Sequence, residues 1–507
     1  MTTRSLQAPE VRTVAGTVRG RWQGGVAVFR GIPYARPPVG DLHLAAPVPA
    51  LPWNGVREAD AFGPPPPQSL ALGYGVGPQR TEGGDDWLTV NVYSPDPGGA
   101  QLAVMVWLYG GVYLIGSSGG TGYDGTALAR RGTVVVTFNH RVGAEGYGQF
   151  EGAPPNRALL DQVAALEWVR DNIAAFGGDP GRVTVFGESA GAGAVAALLA
   201  MPRAAGLFHR AVAQSVPGPF YSVPLAADIG TAVAAELGAP PTLAGLAPVA
   251  PDALRDAADS VLNKMAGHES RWGRAARARM PFAPVVDGDV LPRTPWEALR
   301  AGQSAGIDLV VGHTRDECRL FTVLSGRLGK VTEEEAAATV EWFAPGAGAR
   351  AYRTGYPDAS PTDLHDLVMS DWLFRMPSLH LAEAHISGGG TSYLYELAWP
   401  SPAMGGVLGS CHGLDVPLVF GAFSGEIAEL LLGEEPPPEA GVLSETMMAA
   451  WTAFAGTGSP GWAPYRSEDR LTRVFTAASA TVPYPEETSR LIWADWDLAA
   501  LEMMNGA

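Results

Sequence analysis

Cysteine is nearly absent from this sequence. Its 507 residues include two, Cys318 and Cys411, so at most one internal disulfide can form and a small disulfide-stapled secreted fold is excluded. Basic residues are also scarce, with 35 Lys and Arg against 52 Asp and Glu and a formal net charge of −17. Nucleic acids and anionic membranes are bound by clustered cations, so neither is an expected partner. No run of about 18 apolar residues could span a bilayer. The opening segment MTTRSLQAPEVRT lacks the apolar centre of a targeting peptide, and the expected location is the cytoplasm. Charged residues make up only 17% and hydrophobic residues 46%, which excludes a disordered chain and supplies a sizeable core.

The 64 glycines and 43 prolines imply many turns. Through the first hundred residues, short strand-like runs at 26–30 and 87–93 alternate with Pro-rich stretches, including Pro64 to Pro67, read as a rigid surface loop. Between 100 and 215 the pattern changes. Residues 102–109 (LAVMVWLY) and 133–138 (TVVVTF) are continuous apolar runs of strand length, as strands buried on both faces require. A helical period over 159–175, a strand over 182–186 and an Ala-rich helix from 190 to 201 complete a βαβ alternation, hence a mainly parallel sheet. Segments 216–305 and 320–408 read as mostly helical, with helices expected at 252–264, 333–342, 364–373 and 379–385 and strand-like runs at 308–311 and 392–397. One domain over 1–507, a sheet core carrying these two segments as helical insertions, is the economical organisation.

Between the expected strand and helix stands Gly187-Glu188-Ser189-Ala190-Gly191. In G-x-S-x-G a sharp turn lifts the serine oxygen above the sheet, and small flanking residues let strand and helix approach. The helix N-terminus behind it offers N–H groups to a developing negative charge. A second match, Gly116 to Gly120 around Ser118, leads into a turn-rich segment with no helix, so its context fails. The overlapping Gly191-x-Gly193-x-x-Ala196 resembles a dinucleotide fingerprint, yet no acid follows until Asp228, too far for a ribose contact. No cofactor and no metal are expected.

The stretch NRALLDQVAALEWVRDNIAAFGGDPGRVTVFGESAGA (156–192) resembles the type-B carboxylesterases, the α/β-hydrolase family that includes p-nitrobenzyl esterase-like enzymes and the cholinesterases. Further matching segments are FRGIPYARPPVG (29–40), DDWLTVNVYSP (85–95), VMVWLYGG (104–111), NHRVG (139–143), GHTRDECRLF (312–321) and CHGLDVPLVFG (411–421). The resemblance implies an α/β-hydrolase fold: a large, mostly parallel sheet flanked by helices. It also implies Ser189 as nucleophile, Glu317 as acid and His412 as base, a set that chemistry accepts because serine needs a neutral imidazole oriented by a carboxylate. The oxyanion hole falls on the amides of Gly111, Val112 and Ala190, each worth about 3 kcal/mol to a tetrahedral intermediate. Arg141 and Asp161 take the places of a buried structural ion pair. Tyr113, Val216, Phe220, Phe321 and Phe374 are the expected pocket walls. The implied substrate is a small hydrophobic ester, and the expected state is a monomer, with a homodimer as the alternative.

Departures from the family pattern are informative. Its disulfide cysteines are replaced by Pro66 and Trp87, and an Arg/Glu ion pair by His43 and Asp85. Three glycines near the site become Val112, Val216 and Cys318; where such a glycine needs φ > 0 the local backbone must differ, and elsewhere the side chain narrows the pocket. Cys318 and Cys411 each adjoin a triad position, so either a redox-sensitive link or two inert thiols is conceivable. The leading expectation is a serine carboxylesterase working through an acyl-enzyme. A reshaped pocket instead suits a biosynthetic acyl-transfer, cyclising or lactone-opening enzyme. A non-catalytic binding protein would have lost a triad member, and none is lost.

Overall fold

A computed structural model describes residues 7–71, 84–99, 101–346 and 348–504. Residues 1–6 of the opening segment lie outside them. The centre is an eleven-stranded sheet. In chain order its strands are β1 (Arg21–Gln23), β2 (Val26–Pro33), β3 (Thr89–Ser94), β4 (Leu102–Leu108), β5 (Thr133–Phe138), β6 (Gly178–Glu188), β7 (Arg210–Gln214), β8 (Asp308–Thr314), β9 (Ser392–Leu397), β10 (Leu471–Phe475) and β11 (Ala480–Pro483). Their spatial order is β11-β10-β9-β8-β7-β6-β4-β5-β3-β2-β1. From β5 to β10 the pairings are parallel, and antiparallel pairs close both edges.

The continuous apolar runs follow from burial on both faces. Along β4, Val104, Val106 and Leu108 join the core on one side, whereas Met105 and Trp107 join the core on the other. β5 divides likewise, with Val134 and Val136 opposite Val135. A period of two thus serves two cores at once, and each fully buried Val or Leu stabilises by about 1.5–3 kcal/mol.

Helix α1 (Arg157–Asn172) buries Leu159, Val163, Leu166 and Val169, and α2 (Ala190–Ala200) is buried all round. Small residues make that burial feasible: a Cβ on Gly193 would collide with the Tyr113 hydroxyl. Beyond β7 come α3 (Pro251–Lys264) and α4 (Glu269–Arg277), and beyond β8 come α5 (Arg319–Leu324), α6 (Glu333–Phe343), α7 (Pro361–Ser370) and α8 (Met376–Ser387). A π-helical turn, Asp371–Arg375, joins α7 to α8 where the sequence pattern had continued a helix to 373. Residues 392–397, inside the second expected insertion, form β9 of the central sheet, paired with β8 and β10.

Arg141 and Asp161 form a fully buried bidentate pair, with Arg141 Nη2 2.7 Å from Oδ1 and Nε 2.8 Å from Oδ2. His43, by contrast, does not meet Asp85, which is exposed. Its Nε2 lies 2.6 Å from Glu145 Oε1 in a buried pair. Asp85 is one methylene shorter than the glutamate it replaces, and Glu145 supplies the buried imidazole with a carboxylate instead.

Candidate active site

The sheet order reverses around β6, which lies between β4 and β7. Loops leaving the carboxyl ends of adjacent parallel strands diverge at such a point and leave a crevice for a ligand. Ser189 stands at the end of β6, Glu317 follows β8 and His412 follows β9. Backbone hydrogen bonds carry the pairing past the strand ends: Ser189 N to Gln214 O at 2.9 Å, Ser215 N to Gly312 O at 2.8 Å, and His412 N to Glu317 O at 3.2 Å. The three loops are therefore held in register with the sheet.

Ser189 has φ 57° and ψ −127°, a strained conformation for a residue with a side chain. The flanking glycines explain how the turn closes. A Cβ on Gly187 would lie 2.8 Å from Leu108 O, and one on Gly191 would collide with the same atom. Opposite, a Cβ on Gly110 would meet Ser189 Cβ at 3.0 Å, so the Gly110–Val112 loop packs directly on the serine. Among the described residues, the N–H groups of Gly111, Val112 and Ala190 donate to no protein acceptor. Three uncommitted donors beside a serine oxygen can receive an oxyanion.

Val112 resolves one of the glycine departures. Its φ is +56°, and that of Tyr113 is +61°, so the loop keeps a left-handed backbone although a β-branched residue occupies it. Val216 and Cys318 differ. Neither has positive φ; Val216 N donates to Ser378 Oγ at 2.9 Å and Cys318 N to Ser370 Oγ at 3.0 Å. Their side chains are simply added bulk. Both thiols are free and buried, and burial pushes both far above the usual thiol range, which describes inert cysteines.

His412 Nδ1 donates to Glu317 Oε2 at 2.5 Å. Glu317 Oε1 accepts from Ser215 Oγ at 2.6 Å and from Thr314 N at 2.8 Å. Burial works to raise this carboxyl, but the His412 charge and the donors from His412, Ser215 and Thr314 outweigh it and hold the group below its ordinary range. Nothing in the sequence marks Ser215, whose φ is +58° and whose hydroxyl reaches Glu317.

The other imidazole nitrogen faces Glu188. Nε2 lies 3.1 Å from Glu188 Oε1, yet Oε1 accepts no hydrogen bond, so the contact is one of charge without donor alignment. Among the described residues no hydrogen bond joins His412 to Ser189. Burial pushes the Glu188 carboxyl up, with His412 opposing and Asp415 and Glu317 adding to the rise. Burial lowers His412, but Glu188 and Glu317 together raise it to about 9. Ser189, Glu317 and His412 are 8%, 0% and 7% exposed, so water screens this cluster little.

The expected pocket residues divide. Phe374 stacks on His412 with ring centroids 4.2 Å apart, and Phe321 lies 5.4 Å from the same ring. Phe321 and Val112 also line a cavity of about 620 Å³ between α4, α5, α6 and α7, a volume suited to a small molecule. Tyr113, Val216 and Phe220 do not line it. Tyr113 is core beneath α2, T-stacked on Tyr147 at 5.1 Å; Phe220 packs edge-on against Trp296 at 5.4 Å; Val216 is fully buried. Ser118, rejected on context, is buried, and Asn91 Nδ2 donates to its Oγ at 3.0 Å. No group of three or more His, Cys, Asp or Glu among the described residues could hold a metal ion, and no helix there is long and apolar enough to cross a membrane.

Comparison with known proteins agrees with this architecture. Residues 7–482 match the model of the carboxylesterase family. The chain is 36% identical over 494 residues to para-nitrobenzyl esterase of Bacillus subtilis (strain 168), covering 95% of this chain and 97% of that one. It is 31% identical over 494 residues to phenmedipham hydrolase of Pseudarthrobacter oxydans, covering 94% and 97%. Among solved structures, carboxylesterase EST55 of Geobacillus stearothermophilus superposes with a TM-score of 0.84 at 34% identity, over 96% of this chain and 99% of that one. The chain therefore belongs to the carboxylesterase family and is a carboxylic ester hydrolase with the α/β-hydrolase fold.

Proposed function

We propose that this enzyme hydrolyses small hydrophobic carboxylic esters through an acyl-enzyme formed on Ser189. The observation that carries the reading is the buried Glu317–His412 hydrogen bond of 2.5 Å beside a serine held at a strained turn. His412 moves its Nε2 from Glu188 to Ser189 Oγ and takes the proton as the oxygen attacks the ester carbonyl. Glu317 fixes the tautomer and stabilises the imidazolium. The amides of Gly111, Val112 and Ala190 hold the oxyanion, and collapse expels the alcohol, which receives the proton from His412. Water, deprotonated by the same imidazole, then attacks the acyl carbon, and His412 returns the proton to Ser189 Oγ as the C–Oγ bond breaks and the acid leaves.

Phe321 and Phe374 supply the apolar wall against which the ester rests, and the helical segments 216–305 and 320–408 cover it. The enzyme acts as a cytoplasmic monomer on this reading. The test is p-nitrophenol release from acetyl to octanoyl esters by wild type and Ser189→Ala. Turnover in the variant should fall by about 10⁴ or more; a variant that keeps its rate would remove Ser189 from the mechanism.

A further inference from the structure

The cavity beside the site is apolar along much of its wall, with Val112, Leu262, Phe321 and Phe343 contributing, but it also carries three arginines and two glutamates. Four of these charges are matched. Arg277 Nη2 lies 2.8 Å from Glu269 Oε2, and Arg327 Nη2 lies 3.0 Å from Glu335 Oε1. His365, also in the wall, is held neutral because burial and Arg327 press it down to about 4. The third arginine, Arg279, has no carboxylate within ion-pair distance among the described residues. Among the described residues, one exposed cation without a carboxylate partner thus stands at the wall of a ligand-sized cavity, in a chain whose formal charge is −17.

The backbone under Arg279 does not explain its presence. The residue ends α4 in a left-handed conformation, φ +53°. Its N–H donates to Ala276 O and that of Met280 to Ala275 O, both at 3.0 Å. This is the helix ending that glycine satisfies without strain. An arginine here bears a conformational cost that glycine would not.

Resting on the esterase reading above, we infer that Arg279 selects esters carrying a carboxylate remote from the scissile bond. An apolar chain from the ester would run past Phe321 and Val112, and its terminal carboxylate would meet the guanidinium.

The test compares kcat/KM for pairs of esters differing only in that charge. One arm places it on the acyl side, as p-nitrophenyl monoesters of adipic and suberic acids beside their carboxamides. The other places it on the alcohol side, as the acetate of 4-(hydroxymethyl)benzoic acid beside its carboxamide. In one arm the wild-type ratio of charged to neutral ester should exceed unity, and ~0.5 M sodium chloride should reduce it. Arg279→Gly should lower that ratio by about two- to fivefold, within the range open to a solvent-facing charge pair, and Arg279→Lys should retain most of it. Because glycine suits the left-handed turn, the glycine variant should melt no lower than wild type, so misfolding cannot account for a loss. Ratios at or below unity in both arms, or a ratio indifferent to Arg279→Gly, would overturn the inference. If neither charged nor neutral esters are turned over, the esterase reading fails separately. Calorimetric binding of suberate to wild type and Arg279→Gly then decides: weaker binding by the variant supports the cation's role, and equal or absent binding in both overturns it.

Discussion

Replacing Glu188 by Gln should make the enzyme more active in mild acid, not less. On the proposed mechanism His412 must lose its proton before it can accept one from Ser189, and Glu188, with Oε1 3.1 Å from Nε2, favours the protonated imidazole. An opposite charge at such a distance moves a titration by about 1–3 units. Both partners are buried, so screening is weak, but Glu188 is itself pushed up by burial and carries only part of its charge near neutrality. The pair releases its shared proton as one macroscopic step, and about 1 unit, or 1.4 kcal/mol, is the shift to expect. Gln fills the same volume against Gly110 and Gly413. The assay is kcat/KM for p-nitrophenyl butyrate across the pH range, which reports ionisations of the free enzyme. In wild type the acid limb should fall above the ordinary histidine value of about 6.5, since His412 is raised. In Glu188→Gln that limb should move down by about 1 unit, so well below the wild-type limb the variant approaches a tenfold advantage. An unmoved limb, or one shifted to higher pH, refutes the assignment of Glu188 as the group that holds His412 protonated.

Ser215→Ala removes one of three donors to Glu317. A hydrogen bond to a buried charge is worth about 1.5–3 kcal/mol, so kcat should fall at least tenfold with KM little changed, whereas a fall confined to KM would assign Ser215 to substrate binding. At Val112, where φ is +56°, Gly gains about 1–2 kcal/mol of relieved strain over Ala and loses about 0.5–1 in chain entropy. Val112→Gly should therefore be the more stable variant in urea denaturation, the reverse of the ordinary order, and a more stable Val112→Ala would show that the loop is not strained. For His43, burial opposes the charge, but Glu145 wins and the folded value is raised. Its contribution to stability is complete below about 6.5 and is lost as pH rises through the folded value. His43→Gln should accordingly cost more stability at acid than at alkaline pH, and a difference that grows with pH would contradict the pairing.

Much of the architecture was legible because burial on two faces writes continuous apolar strands, and the strands at 102–108 and 133–138 lie where those runs lie. Ser189 could be chosen over Ser118 on context alone, since only the former sits between a strand and a helix. The partners of charges were not legible. His43 and Glu145 are 102 residues apart, and nothing local to either marks the other. Val112 stood out among the three missing glycines because its N–H is an expected donor, but the backbone at each was not legible: Val112 is left-handed while Val216 and Cys318 are not, a distinction made by the loop around each residue. Burial was not legible for Tyr113, Val216 and Phe220, which are buried and do not line the cavity beside Val112 and Phe321.

The same limit explains why the middle letter of G-x-S-x-G conveyed so little. Any residue is tolerated there by the turn, so Glu188 carried no signal until the fold set it against His412. What then separates Glu188 from Glu317 is the supply of donors. Two carboxylates flank one imidazole, one at 2.5 Å and one at 3.1 Å, and both are buried. Glu317 receives Ser215, Thr314 and His412 and stays ionised; Glu188 Oε1 receives none and is driven toward its neutral form. Environments that push like groups apart assign them different tasks. The well-donated carboxylate can stabilise an imidazolium without taking its proton, and the poorly donated one can share a proton with the imidazole between turnovers. A contact without donor alignment is easily given up, which is what the imidazole requires if Nε2 is to leave Glu188 and reach Ser189 in each cycle.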